Sequence, residues 1–135
     1  ESRFEVYSEQ YILSIEVEAK LVIDMAKTTI YPAAMRHLAD IAATVAGLEE
    51  MGINLDRDNI KTVAELTNSM VTKVSKLSSA LEKENFESVE EHMKYSAVTL
   101  RSLMDDVRAD VDALEAEVAD DLWPLPTYQE MLFIK

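Results

Sequence analysis

Apolar positions along the chain recur at intervals of three and four, the repeat of one face of an α-helix. From Asp58 onward, Ile60, Val63, Thr67, Met70, Val74, Leu77 and Leu81 form such a seam. Asp58 can cap the first turn, because its carboxylate accepts a free amide there. A helix over about 58–84 follows. After a break around Glu84–Phe86 the spacing resumes at Val89, Met93, Ser96, Leu100, Leu103, Val107, Val111, Leu114, Val118 and Leu122. Nothing interrupts it before Trp123-Pro124, where proline disfavours the α conformation of the residue before it. A second long helix is expected over about 87–122, and the short connection makes the pair an antiparallel hairpin.

The N-terminal third reads as one more helix over about 3–51, with Ser2 and Glu5 at capping-box spacing. Pro32 must kink or divide it. Beyond the proline, Met35, Leu38, Ile41, Val45 and Leu48 keep an apolar stripe, Gly52 is a C-terminal stop, and 52–57 is a loop. The expected fold is therefore all-α and a single domain over 1–135. It is an antiparallel bundle of three long helices, or four if Pro32 divides the first. An extended apolar tail covers 123–135. Two prolines forbid a regular helix at the start of that tail, yet it is dense in large apolar side chains. Trp123, Pro124, Tyr128, Met131, Leu132 and Phe133 are accordingly the candidate interaction residues, packing on the bundle or on a neighbouring surface.

Composition narrows the function classes. A chain of 135 residues, 48% hydrophobic and 29% charged, suits one globular domain and excludes collagenous, disulfide-framed and disordered readings. Two glycines leave little for a phosphate-cradling loop or nucleophile elbow, and the absence of cysteine removes thiol catalysis and thiolate zinc sites. With 26 acids against 13 bases, the chain is a poor partner for nucleic acid, whose affinity comes from Lys and Arg. No stretch approaches the roughly 20 apolar residues that span a bilayer, and no signal-peptide pattern opens the chain. No membrane partner and a cytoplasmic location are expected. The first residue is Glu1 and not Met, which points to a chain cut from something longer. The net charge of −13 is uneven: residues 57–83 carry five bases and three acids, whereas 84–122 carry three bases and twelve acids.

Little of this carries catalytic chemistry. Zinc or di-iron bundle sites use Glu three residues before the His or His four residues away. Ala34 instead lies three before His37, with Ala33 and Ile41 four to either side, and Val89 lies three before His92, with Ser88 and Ser96 four to either side. Both read as surface or interface histidines, and no metal ligands are expected. A histidine phosphotransfer module using His92 or His37 is the alternative function, with His92-Met93-Lys94-Tyr95-Ser96-Ala97 as a loose imitation of its setting. Asp105, Asp106, Asp110 and Asp112 read as a solvated face with Arg101 and Arg108 interleaved, not as a magnesium box. Methionines at 25, 35, 70, 93 and 104 read as core filler. No Ser-His-Asp, P-loop or dinucleotide pattern occurs, so no catalytic or cofactor-binding residue is assigned.

Two stretches are more specific than a generic bundle. Residues 14–33 read Ser-Ile-Glu-Val-Glu-Ala-Lys-Leu-Val-Ile-Asp-Met-Ala-Lys-Thr-Thr-Ile-Tyr-Pro-Ala. Residues 107–133 close on Trp-Pro-Leu-Pro-Thr-Tyr-Gln-Glu-Met-Leu-Phe. Together they resemble the C-terminal domain of type III glutamine synthetases, the large bacterial form, over essentially the whole chain. The resemblance implies a parent enzyme that joins glutamate and ammonia with ATP and Mg²⁺ or Mn²⁺, and a dodecamer of two stacked hexameric rings. That family's nucleotide, metal and glutamate residues lie upstream of such a segment. The expected role is a non-catalytic helical accessory domain that packs on the catalytic core or neighbouring subunits, with no cofactor of its own.

Overall fold

A computed structural model describes residues 2–119 and 122–124, the side chains of residues 2, 4 and 5 excepted. Seven helical pieces join into three rods, and no strand occurs among the described residues. The first rod runs through α1 (Ser2–Met25), a π-helical turn (Ala26–Ile30) and α2 (Tyr31–Glu50). The second is α3 (Asp58–Leu81). The third joins α4 (Val89–Tyr95), a second π turn (Ser96–Leu100) and α5 (Arg101–Glu117). Side-chain contacts set the directions. Glu16 meets His92 and His37 meets Ala119, so the first and third rods run the same way. Lys73 meets Asp110 and Tyr95 meets Ala80, so α3 runs against the third rod.

Pro32 does not divide the first rod, which is helical on both sides of it. Val22, Ala26, Ile30 and Ala34 follow at three consecutive intervals of four, which overruns a 3.6-residue repeat. One extra residue taken up in the π turn returns all four to the core, and Tyr31 N–H donates five residues back to the Ala26 carbonyl. Pro32, which has no N–H, sits where the α-helical bonding is already changed. Beyond it the expected stripe largely holds, with Leu38, Ile41 and Leu48 half-buried. Ala33, Ala34, His37 and Val45 are buried, whereas Met35, expected on that stripe, is exposed.

The core runs along the bundle axis. Ile15, Ala19, Val22, Ala26, Ile30 and Ala34 meet Val63, Met70, Val74 and Leu77 from α3 and Leu100, Met104, Val107 and Leu114 from the third rod. The alanines let the rods approach closely, and each fully buried aliphatic side chain contributes roughly 1.5–3 kcal/mol. Among the methionines, Met70 and Met104 are core, whereas Met25 and Met35 are exposed.

The rod ends show how local chemistry sets boundaries. Gly52, at φ +80°, ends the first rod: its N–H donates to Glu49 and that of Ile53 to Leu48, the paired bonds of a Schellman stop. Arg57 pairs with Glu49 across the loop. Asp58 is not the cap expected. The Asp56 carboxylate accepts the Asp58 N–H at 3.1 Å, and Asp58 lies in the first turn, where an acid favours the helix dipole. Ser88 caps α4, its Oγ accepting from Glu91 N–H at 3.0 Å. The third rod stops at Glu117, five residues before the expected end. Val118 is extended, and the Ala119 carbonyl then accepts both Leu122 N–H and Trp123 N–H. A turn satisfies the 118/122 apolar spacing as well as a helix does. The capping box expected at Ser2 and Glu5 lies outside the described side chains.

Candidate functional site

Three features could carry function. The first is a polar node where the three rods meet near the start of α3. His37 is buried on α2, and its Nδ1 accepts the Ala119 N–H at 3.1 Å. That leaves the proton on Nε2, which donates to Asn59 Oδ1 at 2.7 Å. The Asn59 amide then donates to the Glu117 carbonyl at 3.0 Å and to the Glu117 carboxylate at 3.1 Å. One side chain on each of two rods thus completes the open end of the third. His37 is therefore an interface histidine, one of the two settings expected for it, and not a surface one. Its partners lie 22 and 82 positions away, beyond the reach of any local motif. A sequence signal existed in its place on the Ala34–His37–Ile41 stripe.

The opposite end is aromatic and cationic. His92 stacks on Phe86 with ring centroids 4.0 Å apart, and its Nε2 lies 3.3 Å from Glu16 Oε2. Tyr95 tilts against Phe86 and donates its hydroxyl to the Ala80 carbonyl at 2.9 Å. The Lys83 ammonium lies about 5 Å from both the Phe86 and Tyr95 rings (4.9 and 5.0 Å). A phosphoryl acceptor needs a ring nitrogen open to an incoming anion. His37 has both nitrogens engaged, and Glu16 places a carboxylate against His92. Of the acidic run, Asp105 and Asp112 are exposed with Asp106, and Arg108 bridges Asp105 and Glu18. Asp110 departs from the expected solvated face: it is buried, with Oδ1 3.1 Å from Lys73 Nζ. Among the described residues no three His, Cys, Asp or Glu side chains converge as metal ligands. No helix among them is long and apolar enough to cross a membrane.

The third feature is surface. An open groove of about 400 Å³ lies between the first π turn and α3, floored by Met70 and Val74 and rimmed by Lys27, Tyr31, Ser75 and Ser78. On the far side of α1, turned away from the core, Val6, Leu13, Val17 and Leu21 are 48–61% exposed. Their spacing of seven, four and four makes one stripe opposite Ile12, Ile15, Ala19 and Val22. A second stripe on one helix was legible in the sequence but is easily lost behind the first. Of the tail residues expected to interact, Trp123 is buried in the bundle's own core and Pro124 is exposed. Tyr128, Met131, Leu132 and Phe133 lie outside the described residues.

Comparison with known proteins gives this helical unit a family context. Residues 1–49 match the family model described as the glutamine synthetase C-terminal domain. Over 98% of its length the chain is 28% identical to a glutamine synthetase from Bacteroides fragilis. It is also 28% identical, over 100% of its length, to the type-3 glutamine synthetase of Dictyostelium discoideum. The chain spans about a fifth (20%) of the length of each of these relatives. The resemblance seen in residues 14–33 and 107–133 is thus found along the whole chain.

Proposed function

We propose that this chain is the C-terminal helical part of a type III glutamine synthetase, a ligase that makes glutamine from glutamate and ammonia with ATP. The observation that carries the reading is similarity along the whole chain to two glutamine synthetases from distant organisms, one of them a type-3 enzyme. ATP and Mg²⁺ or Mn²⁺ belong to that activity, and the described residues offer no convergent ligand set to hold the metal. On this reading the chain's own residues do structural work. The bundle packs on the catalytic part of the same polypeptide and on neighbouring subunits, and the tail beyond Pro124 clamps it there. A rigid three-rod unit with its two ends tied by side-chain networks suits that task.

The test is made in the full-length protein. Removing residues 1–135 should abolish the assembled state seen by mass photometry and lower ligase activity. Removing residues 123–135 alone should lower the melting temperature and loosen the assembly. Full-length protein without glutamine-forming activity would overturn the enzyme assignment. An intact assembly with unchanged melting after the shorter deletion would overturn the clamp.

A further inference from the structure

The outer stripe of α1 is unexplained by the bundle, because it points directly away from the core. We infer that it is a self-association surface that receives the same stripe of a second copy of this chain, antiparallel. The inference concerns the chain's own surface and stands apart from the enzyme assignment.

The charges along the stripe choose both the partner and the direction. Among the described residues, exposed charged side chains along its rim include Arg3 and Glu9 toward the N-terminal end and Lys20 and Asp24 toward the C-terminal end. Glu16 and Glu18 are taken up by His92 and Arg108 of the same chain. A two-fold axis between Leu13 and Ser14 pairs position 3 with 24, 6 with 21, and 10 with 17. Val6 then meets the other copy's Leu21, Arg3 meets Asp24, and Lys20 lies within one turn of Glu9. Symmetry makes every one of these contacts twice, as an isologous interface requires. A parallel pair would set Arg3 against Arg3 and Asp24 against Asp24, which like-charge repulsion disfavours. A helix face presenting opposite charges at its two ends, with apolar residues between them, is complementary to its own reverse.

Size sets the strength. Residues 3–24 span about 32 Å of helix, and a single helix face is about 10 Å wide. Two such faces bury only about 640 Å², below the roughly 1,200 Å² of stable complexes, so the pair should be weak and concentration-dependent, with a midpoint of hundreds of micromolar or above. The core lies on the other side of α1, so substitutions on this stripe leave the bundle intact.

Sedimentation velocity on the 135-residue chain across a concentration series tests the inference. The expected result is a transition from one chain mass to two. Leu13→Glu combined with Leu21→Glu should give a monomer throughout, with unchanged helical circular dichroism. Asp24→Arg should weaken the pair about tenfold, and adding Arg3→Asp in the same chain should restore it, since exposed ion pairs act singly but sum over symmetric copies. The chain has no cysteine, so single introduced thiols report geometry. Leu13→Cys should cross-link two copies on mild oxidation, whereas Arg3→Cys should not. A chain that stays monomeric throughout, a dimer that survives both glutamates, charge reversal without rescue, or cross-linking at position 3 would each overturn the proposal.

Discussion

The two ends of the bundle are held by opposite means. Where α3 begins, a part-buried chain of directional hydrogen bonds, centred on the buried His37, runs from Ala119 through His37 and Asn59 to Glu117, beside the buried Trp123. Where α3 ends, half-buried rings stack under an exposed Lys83, with one hydroxyl bond from Tyr95. Removing one member of a buried network leaves its partners unpaired at the full desolvation cost, whereas a partly exposed stack loses only its own contacts. The polar end should be brittle and the aromatic end forgiving.

Substitutions can break that contrast, and the largest effect should come at Trp123. Trp123→Ala empties a buried site at the polar end and should cost about 3 kcal/mol in urea unfolding. Next, Asn59→Leu strands both the His37 Nε2–H and the Glu117 carbonyl. It should cost about 2 kcal/mol and speed amide exchange at Ala119 before elsewhere. At the aromatic end, Tyr95→Phe removes one hydrogen bond and keeps the ring, for about 1 kcal/mol by the same measurement. Lys83→Ala should cost least, about 0.5 kcal/mol, as expected for an exposed cation over aromatic rings. Equal costs for Asn59→Leu and Lys83→Ala would erase the distinction. Trp123 is the sole tryptophan, so its fluorescence reports the polar end selectively.

The same contrast explains what was legible in the sequence. The α3 seam at Val63, Thr67, Met70, Val74 and Leu77 is buried as its periodicity predicts, because one face of one helix is a local property. The Gly52 stop was legible for the same reason, since only glycine takes its backbone angle cheaply. Met35 is exposed because its neighbours Ala34 and His37 take the inward positions at that end of the stripe. The end of the third rod went astray because a helix and a turn satisfy the 118/122 spacing alike. The partners of His37 were not legible because they come together only once three rods meet. Of the interaction residues expected in the tail, Trp123 turns inward, while the outer stripe of α1 emerges as the surface open to a partner.

The first π turn has a consequence for how such chains can diverge. An α-helix that has absorbed one extra residue can lose it again without disturbing the faces on either side. At Ser96–Leu100, where no proline follows within the turn, a one-residue deletion should therefore be nearly silent. At Ala26–Ile30 the same deletion would set Pro32 inside an ordinary α-helix, with a missing amide and a ring against the preceding turn. A gap of one residue there should be found only together with replacement of the proline, so that insertion and proline are inherited as a pair.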